Sequence, residues 1–347
     1  MDTLPLHARR GARNLITDVP GLKVGQTQDM SLRTGVTVIL PDERAVCACD
    51  VRGGAPGTRE TDALSPESLV EAVDAVVLSG GSVYGLAAAD GVTAWLGARG
   101  RGYGLAQIAG APVSPVIPAA ILFDLANGGD KAWGDEPPYR ALGMAAVAAA
   151  SETFELGTAG AGCGAMAGSL KGGTGSASVV AADGIAVGAL VAVNCWGSVT
   201  APGGRTFWAA PFEIEGEFGG LGAAGLAAAP EDWGLAKAPG NARNTTIACV
   251  ATDVALTPAQ AKRVAIMAQD GLARAIRPIH APFDGDVVFA ISTGGRPMPE
   301  AADYTVARLG SLAADTLARA VARAVFEARP WPGTEVRCWR DLAEGWP

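Results

Sequence analysis

Between residues 34 and 328 the chain alternates short runs rich in Val, Ile and Thr with longer Ala-rich segments, and no linker, low-complexity tract or repeat interrupts the pattern. Such an alternation points to an α/β core built in layers, because each strand and helix must bury an apolar face against another element. Strands are predicted at 34–40, 45–51, 75–80, 176–182, 185–194, 245–252 and 286–293. Asp183-Gly184 supplies the turn of a hairpin between two of them. Thr257-Pro258-Ala259-Gln260 opens a helix to about Ile276, with an N-cap, a proline at the first helical position and a capping-box glutamine. A second long helix is predicted over 303–328, where Val306, Leu309, Leu312, Leu317 and Val321 form an apolar stripe. Shorter helices are predicted at 83–98, at 139–154 and from Ser65-Pro66. At roughly 150 residues per domain the length alone points to two domains, but the unbroken pattern predicts one, spanning 1–347.

Composition narrows the partners. Hydrophobic residues make up 49% of the chain, enough for a sizeable core, and the formal net charge of −8 opposes a phosphate backbone. Nucleic acid is therefore not an expected partner. The densest apolar run, 185–193, is too short to span a bilayer, and the N-terminus lacks an apolar signal region. No membrane association is expected, and the predicted location is the cytoplasm. Cys47, Cys49, Cys163, Cys195, Cys249 and Cys338 sit mostly in apolar runs without framework spacing and read as reduced core thiols.

Only two histidines are present, His7 and His280, against 47 glycines. A His-rich metal site cannot be built from these, so no metal is expected, and a Ser-His-Asp triad would have to use His280. The glycine-rich stretch 157–175 resembles a phosphate loop but fails its pattern, because Leu170 stands where a P-loop needs the glycine before its lysine. Gly80-Gly81 likewise lacks dinucleotide-fold spacing. No cofactor is expected.

The sharpest feature is GNARNTTIACVATD (240–253), where a polar stretch ends at Asn244-Thr245-Thr246 and a buried strand begins at once. Asn and Thr are ordinary at a loop-to-strand junction, and Asn244-Thr245-Thr246 also fits a glycosylation sequon, which no secretory signal supports. The reading with chemical content makes Thr245 a latent N-terminal nucleophile. Its Oγ attacks the Asn244 carbonyl, an N-to-O acyl shift gives an ester, and hydrolysis frees a chain that begins at Thr245. The new α-amine titrates near ~7.7–8 and serves as base for its own hydroxyl. Histidine is then unnecessary.

With CDVRGGAPGTRETD (49–62) and LSGGSVYGLAAADGV (78–92), this segment resembles the β-aminopeptidase and L-aminopeptidase/D-esterase family of autoprocessing hydrolases, which includes the nylon-oligomer (6-aminohexanoate oligomer) hydrolases. The likeness runs over roughly 15–328. It implies an αββα sandwich, cleavage between Asn244 and Thr245 into 1–244 and 245–347, and assembly of the αβ units into homo-oligomers, often tetramers. It further implies Thr245 as nucleophile and Asn194 as a polar group near the scissile carbonyl. Lys171 resembles the lysine of the nylon-hydrolase branch, and Asp284 and Asp286 match that branch's acidic pair. Phe123 stands where relatives usually carry Tyr or Trp before an aspartate. Phe123 and Tyr84 are the expected pocket residues.

Each of these residues has a structural alternative. Asp284-Gly285-Asp286 reads as a turn before a strand, Lys171 as a solvated loop lysine, and Asn194 as an amide that satisfies backbone groups. As catalysts, the two carboxylates resist joint ionisation, so one accepts a proton while the other orients the threonine; a Lys171 cation would balance them and stabilise an oxyanion. The expected activity is hydrolysis of linear amides, either aminohexanoate oligomers or peptide amides, through a threonine acyl-enzyme. The alternatives are aminopeptidase or D-esterase action on short or β-peptides, acyl transfer of the ornithine acetyltransferase type, a non-catalytic binding protein on the same frame, and a His280-dependent hydrolase.

Overall fold

A computed structural model of the chain describes residues 8–104, 108–224, 226–238 and 244–342. His7 and positions 240–243 of the segment before the Asn244-Thr245 junction lie outside the described residues.

Two sheets lie face to face between two pairs of helices. The larger sheet runs, in spatial order, Arg9–Arg10, Gly173–Val180, Ala186–Asn194, Thr245–Val254, Val287–Arg296, Ala45–Val51 and Ala72–Val73. The smaller runs Leu22–Asp29, Thr34–Pro41, Val76–Ser79, Ala119–Ile121 and Thr58–Arg59. Helices α1 (Ala88–Gly97) and α2 (Tyr139–Ala148) cover the outer face of the smaller sheet, where Val38, Val77, Val92 and Val147 share one apolar cluster. Helices α3 (Pro258–Ala275) and α4 (Ala302–Phe326) cover the outer face of the larger, through Val250, Leu272, Leu309 and Val321. The inner faces meet through Ile39, Leu78, Leu190, Ile247 and Phe289. This is the αββα sandwich.

Local chemistry explains why the elements form where they do. All ten residues of the Thr245–Val254 strand are buried, as a strand covered on both faces requires. At the start of α3, Thr257 Oγ accepts from Gln260 N at 3.3 Å and Gln260 Oε1 from Thr257 N at 2.9 Å, closing the expected capping box. The hairpin at Asp183-Gly184 joins antiparallel strands paired from Gly173↔Val193 to Val180↔Ala186.

Three helix expectations are corrected. Residues 65–70 form turns rather than a helix, and only a 3-10 turn at Asp62–Leu64 precedes them; Ser65-Pro66 is a cap with no apolar stripe behind it. The helix expected over 139–154 stops at Ala148, because Ser151 exchanges main-chain hydrogen bonds with Val24 at 2.9 and 3.1 Å. The helix expected over 83–98 begins as a 3-10 segment, Ser82–Ala87, and becomes α-helical at Ala88. The strands Leu22–Asp29 and Ala119–Ile121 were not expected. Among the described residues, no helix is long and apolar enough to cross a membrane.

Candidate active site

Strand register gathers the candidate residues. In the antiparallel pair, Asn194 lies directly opposite Thr245. On the other side the Thr245 strand pairs in parallel with Val287–Arg296, starting at Ile247↔Val287, and a bridge between Asn244 and Asp284 extends this pairing toward the chain's sharp turn. Two sequence-distant segments thus flank the Asn244–Thr245 peptide. Asn244 and Thr245 are 2% and 4% exposed, so the peptide that self-cleavage would break is held out of bulk water.

The Thr245 hydroxyl donates to the carbonyl oxygen of Asn244, which places Oγ against the group it would attack. Gly285 N donates to the same oxygen at 3.1 Å. A backbone N–H aimed at a carbonyl oxygen is the kind of donor that stabilises negative charge developing there. Gly285 cannot be replaced without cost: a Cβ there would lie 2.8 Å from Thr245 Oγ and 2.7 Å from the Ala55 carbonyl oxygen.

The two aspartates divide their work. Asp286 Oδ1 accepts from Thr246 N at 2.7 Å, while Oδ2 accepts from His280 N at 3.2 Å and lies 2.8 Å from His280 Nδ1. His280 is thereby a partner of Asp286. Asp284 Oδ2 accepts from Ala281 N at 2.9 Å, and the Trp196 main chain also favours the ionised carboxylate. Burial, reinforced by the neighbouring Asp286 charge, raises the Asp284 carboxyl to about 6. A carboxyl so tuned exchanges protons near neutrality.

Asn194 is engaged through its whole side chain. Its Oδ1 accepts from Met166 N at 2.9 Å and its Nδ2 donates to the Phe123 carbonyl at 3.0 Å. The amide keeps a second N–H. Asn194 and Phe123 line a cavity of about 670 Å³ with Asp124, Asn127, Ser169 and Lys237. Tyr84, expected at that wall, is instead 46% exposed and packs edge-on against Trp133 with ring centroids 5.8 Å apart. It stands outside the residues lining the cavity.

Lys171 is buried, not solvated. Its Nζ donates to the carbonyls of Ala165 at 3.0 Å and Gly172 at 2.7 Å, with Gly162 at 3.4 Å and the Trp331 ring centroid at 4.8 Å. Burial lowers its pKa to about 8, and the carboxylate acting on it is Asp124 rather than the Asp284–Asp286 pair. Lys171 therefore braces the segment whose Met166 N–H holds Asn194.

The cation facing Asp284 is Lys237, which sequence reasoning missed. Its Nζ donates to Asn244 Oδ1 at 2.6 Å and lies 3.4 Å from the Asn194 carbonyl oxygen. Burial lowers this lysine to about 8, while Asp284 pulls in the opposite sense. One signal was available: the chain has five lysines against 22 arginines. A compact ammonium suits converging oxygens better than a planar guanidinium does, so a lysine in an arginine-rich chain marks such a place. Among the described residues, no three His, Cys, Asp or Glu side chains gather as a metal site.

The fold is a two-sheet αββα sandwich, and its candidate site lies where the Ala186–Asn194, Thr245–Val254 and Val287–Arg296 strands begin or end side by side. The model of Peptidase family S58 matches residues 14–338, and the chain belongs to that family. It is 45% identical to an uncharacterized aminopeptidase of Mycobacterium tuberculosis (strain ATCC 25618 / H37Rv), over 96% of this chain and 98% of that one. A 6-aminohexanoate-oligomer endohydrolase of Kocuria sp. (strain KY2) is 29% identical, over 86% of this chain and 80% of that one. The same fold appears in a beta-aminopeptidase of Burkholderia sp. (TM-score 0.67, 23% identity, 93% of this chain and 89% of that one). It appears again in the L-aminopeptidase D-ala-esterase/amidase of Ochrobactrum anthropi (TM-score 0.68, 21% identity, 96% and 92%).

Proposed function

We propose that the protein is a self-cleaving amidohydrolase that splits linear amide bonds through a Thr245 acyl-enzyme. The observation that carries this reading is the Thr245 hydroxyl lying against the Asn244 carbonyl, whose oxygen also accepts from Gly285 N. In self-cleavage, Thr245 Oγ bonds to the Asn244 carbonyl carbon and the Asn244–Thr245 C–N bond breaks. The hydroxyl proton passes to Asp284 and is returned to the departing Thr245 nitrogen. Water then splits the ester into the Asn244 carboxylate and the Thr245 hydroxyl.

In the cleaved protein the Thr245 α-amine replaces Asp284 as the base for Oγ. Thr245 attacks a substrate carbonyl, Gly285 N and the spare Asn194 N–H stabilise the oxyanion, an amine leaves, and water releases the acid. Asp286 fixes the Thr246 main chain and so aims the nucleophile. Relatives named as an aminopeptidase and as a 6-aminohexanoate-oligomer endohydrolase support short peptide amides and linear ω-amino-acid oligomers as substrates. The cleaved units are proposed to assemble as homo-oligomers, which light scattering tests. The activity is tested on a panel of peptide amides, β-peptides, D-amino-acid amides and aminohexanoate oligomers, with Thr245→Ala as control. Hydrolysis by wild type and none by the variant is expected; equal hydrolysis by both refutes the reading.

A further inference from the structure

We propose that Lys237 is a positioning residue for self-cleavage, holding the acyl side of the Asn244–Thr245 peptide in line for attack. This rests on the self-cleavage reading above and adds to it a group from the chain just upstream of the junction. Two of the contacts on Asn244 reach it from either side of the junction. Gly285 N holds its carbonyl oxygen at 3.1 Å, and Lys237 Nζ holds its side-chain oxygen at 2.6 Å. The contacts at the carbonyl oxygen and the contact at the side chain hold the residue at opposite ends. Held at both ends, Asn244 keeps the plane of its carbonyl, and with it the direction from which Oγ approaches.

Lys237 is itself fixed. Its main-chain N–H donates to the Trp196 carbonyl at 2.9 Å, and Nζ also approaches the carbonyl oxygen of Asn194, the residue paired across the sheet with Thr245. The ammonium therefore reports the position of the Ala186–Asn194 strand to the residue being cleaved. The titratable groups facing it are Asp284 and Cys195. Burial pushes the Cys195 thiol up to about 12, so the thiol stays neutral and Asp284 is the counter-charge.

Lys237 is lowered to about 8, so its ammonium, and the charge-assisted bond to Asn244, is lost as pH rises through that value. Asp284, at about 6, must be ionised to take the Thr245 proton and sets the opposite limb.

The test is a time course of newly synthesised chain, followed by denaturing mass spectrometry from pH 5 to 10. Lys237→Met is expected to slow self-cleavage about 10- to 100-fold, the size of a lost hydrogen bond to a charged group. It should also abolish the fall in rate above about pH 8. Lys237→Arg should restore part of the rate and remain flat above pH 8, which a purely structural role would not produce. Asn244→Ala removes the partner without touching the lysine; it should slow cleavage similarly, and the double variant should be no slower than either single one. Wild-type cleavage with an unaltered rate and pH profile in Lys237→Met, or additive losses in the double variant, overturns the inference alone. A wild-type chain that stays intact removes the self-cleavage reading, and this inference with it.

Discussion

Lys171 and Lys237 are both lysines whose ammonium burial lowers to about 8, yet their surroundings differ in kind. The Lys171 Nζ is surrounded by main-chain carbonyls of one local loop and by the Trp331 ring. Lys237 meets a side chain of the residue at the junction, a strand-end carbonyl and the field of Asp284. A lowered pKa thus marks burial in both places, and only Lys237 also touches the Asn244–Thr245 junction. Partner identity separates them: Lys171 holds main-chain carbonyls of a loop, whereas Lys237 holds the side chain of the residue whose peptide is proposed to break.

Variants of the junction and of each lysine test that contrast. The largest effect belongs to Thr245→Ala, which removes the nucleophile: self-cleavage and amide hydrolysis should both fall by at least ~10³-fold, read by denaturing gel and product release. Its continuous chain is also the background in which both lysines can be compared for stability. Asp284→Asn should slow self-cleavage by about 10²–10⁴-fold, the usual contribution of a general base, and should erase the rise in rate through about pH 6, measured in a pH series. Gly285→Ala places a Cβ 2.8 Å from Thr245 Oγ and disturbs the oxyanion donor; a loss of about 10²–10³-fold is expected in the same cleavage assay.

The smallest effect discriminates most between the lysines. In the Thr245→Ala chain, Lys171→Met leaves carbonyls without their donor and should lower unfolding free energy by about 1–3 kcal/mol, read from the denaturant midpoint. In the otherwise wild-type chain it should slow self-cleavage far less than Lys237→Met does. A larger cleavage defect from Lys171→Met than from Lys237→Met would reverse the assignment. One property cannot separate them. Both bind fewer protons folded than unfolded between about 8 and the usual 10.5, so stability from either rises with pH across that window.

Much of the architecture was legible because it is written in local pattern. The strands at 34–40, 45–51 and 245–252, the capped helix at Thr257 and the Asp183-Gly184 turn all appear within a few residues of their expected bounds. Leu22–Asp29 escaped notice because its sequence, LKVGQTQD, is half polar; its pairing partners make it a strand. The site was legible in part. Thr245 stood out as a hydroxyl at the head of a buried strand, and resemblance supplied Asn194, Asp284 and Asp286. Their meeting depends on register between strands far apart in sequence, which no local signal encodes. Lys171 was expected at the carboxylates, but its neighbours are set by how residues 162–172 fold back on themselves. Lys237 was missed because GLAKAPG has no periodicity to place it.

The Asn244–Thr245 peptide is proposed to break. Intact-mass analysis of the purified wild-type protein under denaturing conditions, with N-terminal sequencing of its fragments, tests it most directly. Two fragments spanning 1–244 and 245–347, the second beginning at Thr245, are expected. A single 34.9 kDa chain that nevertheless hydrolyses amides would contradict it.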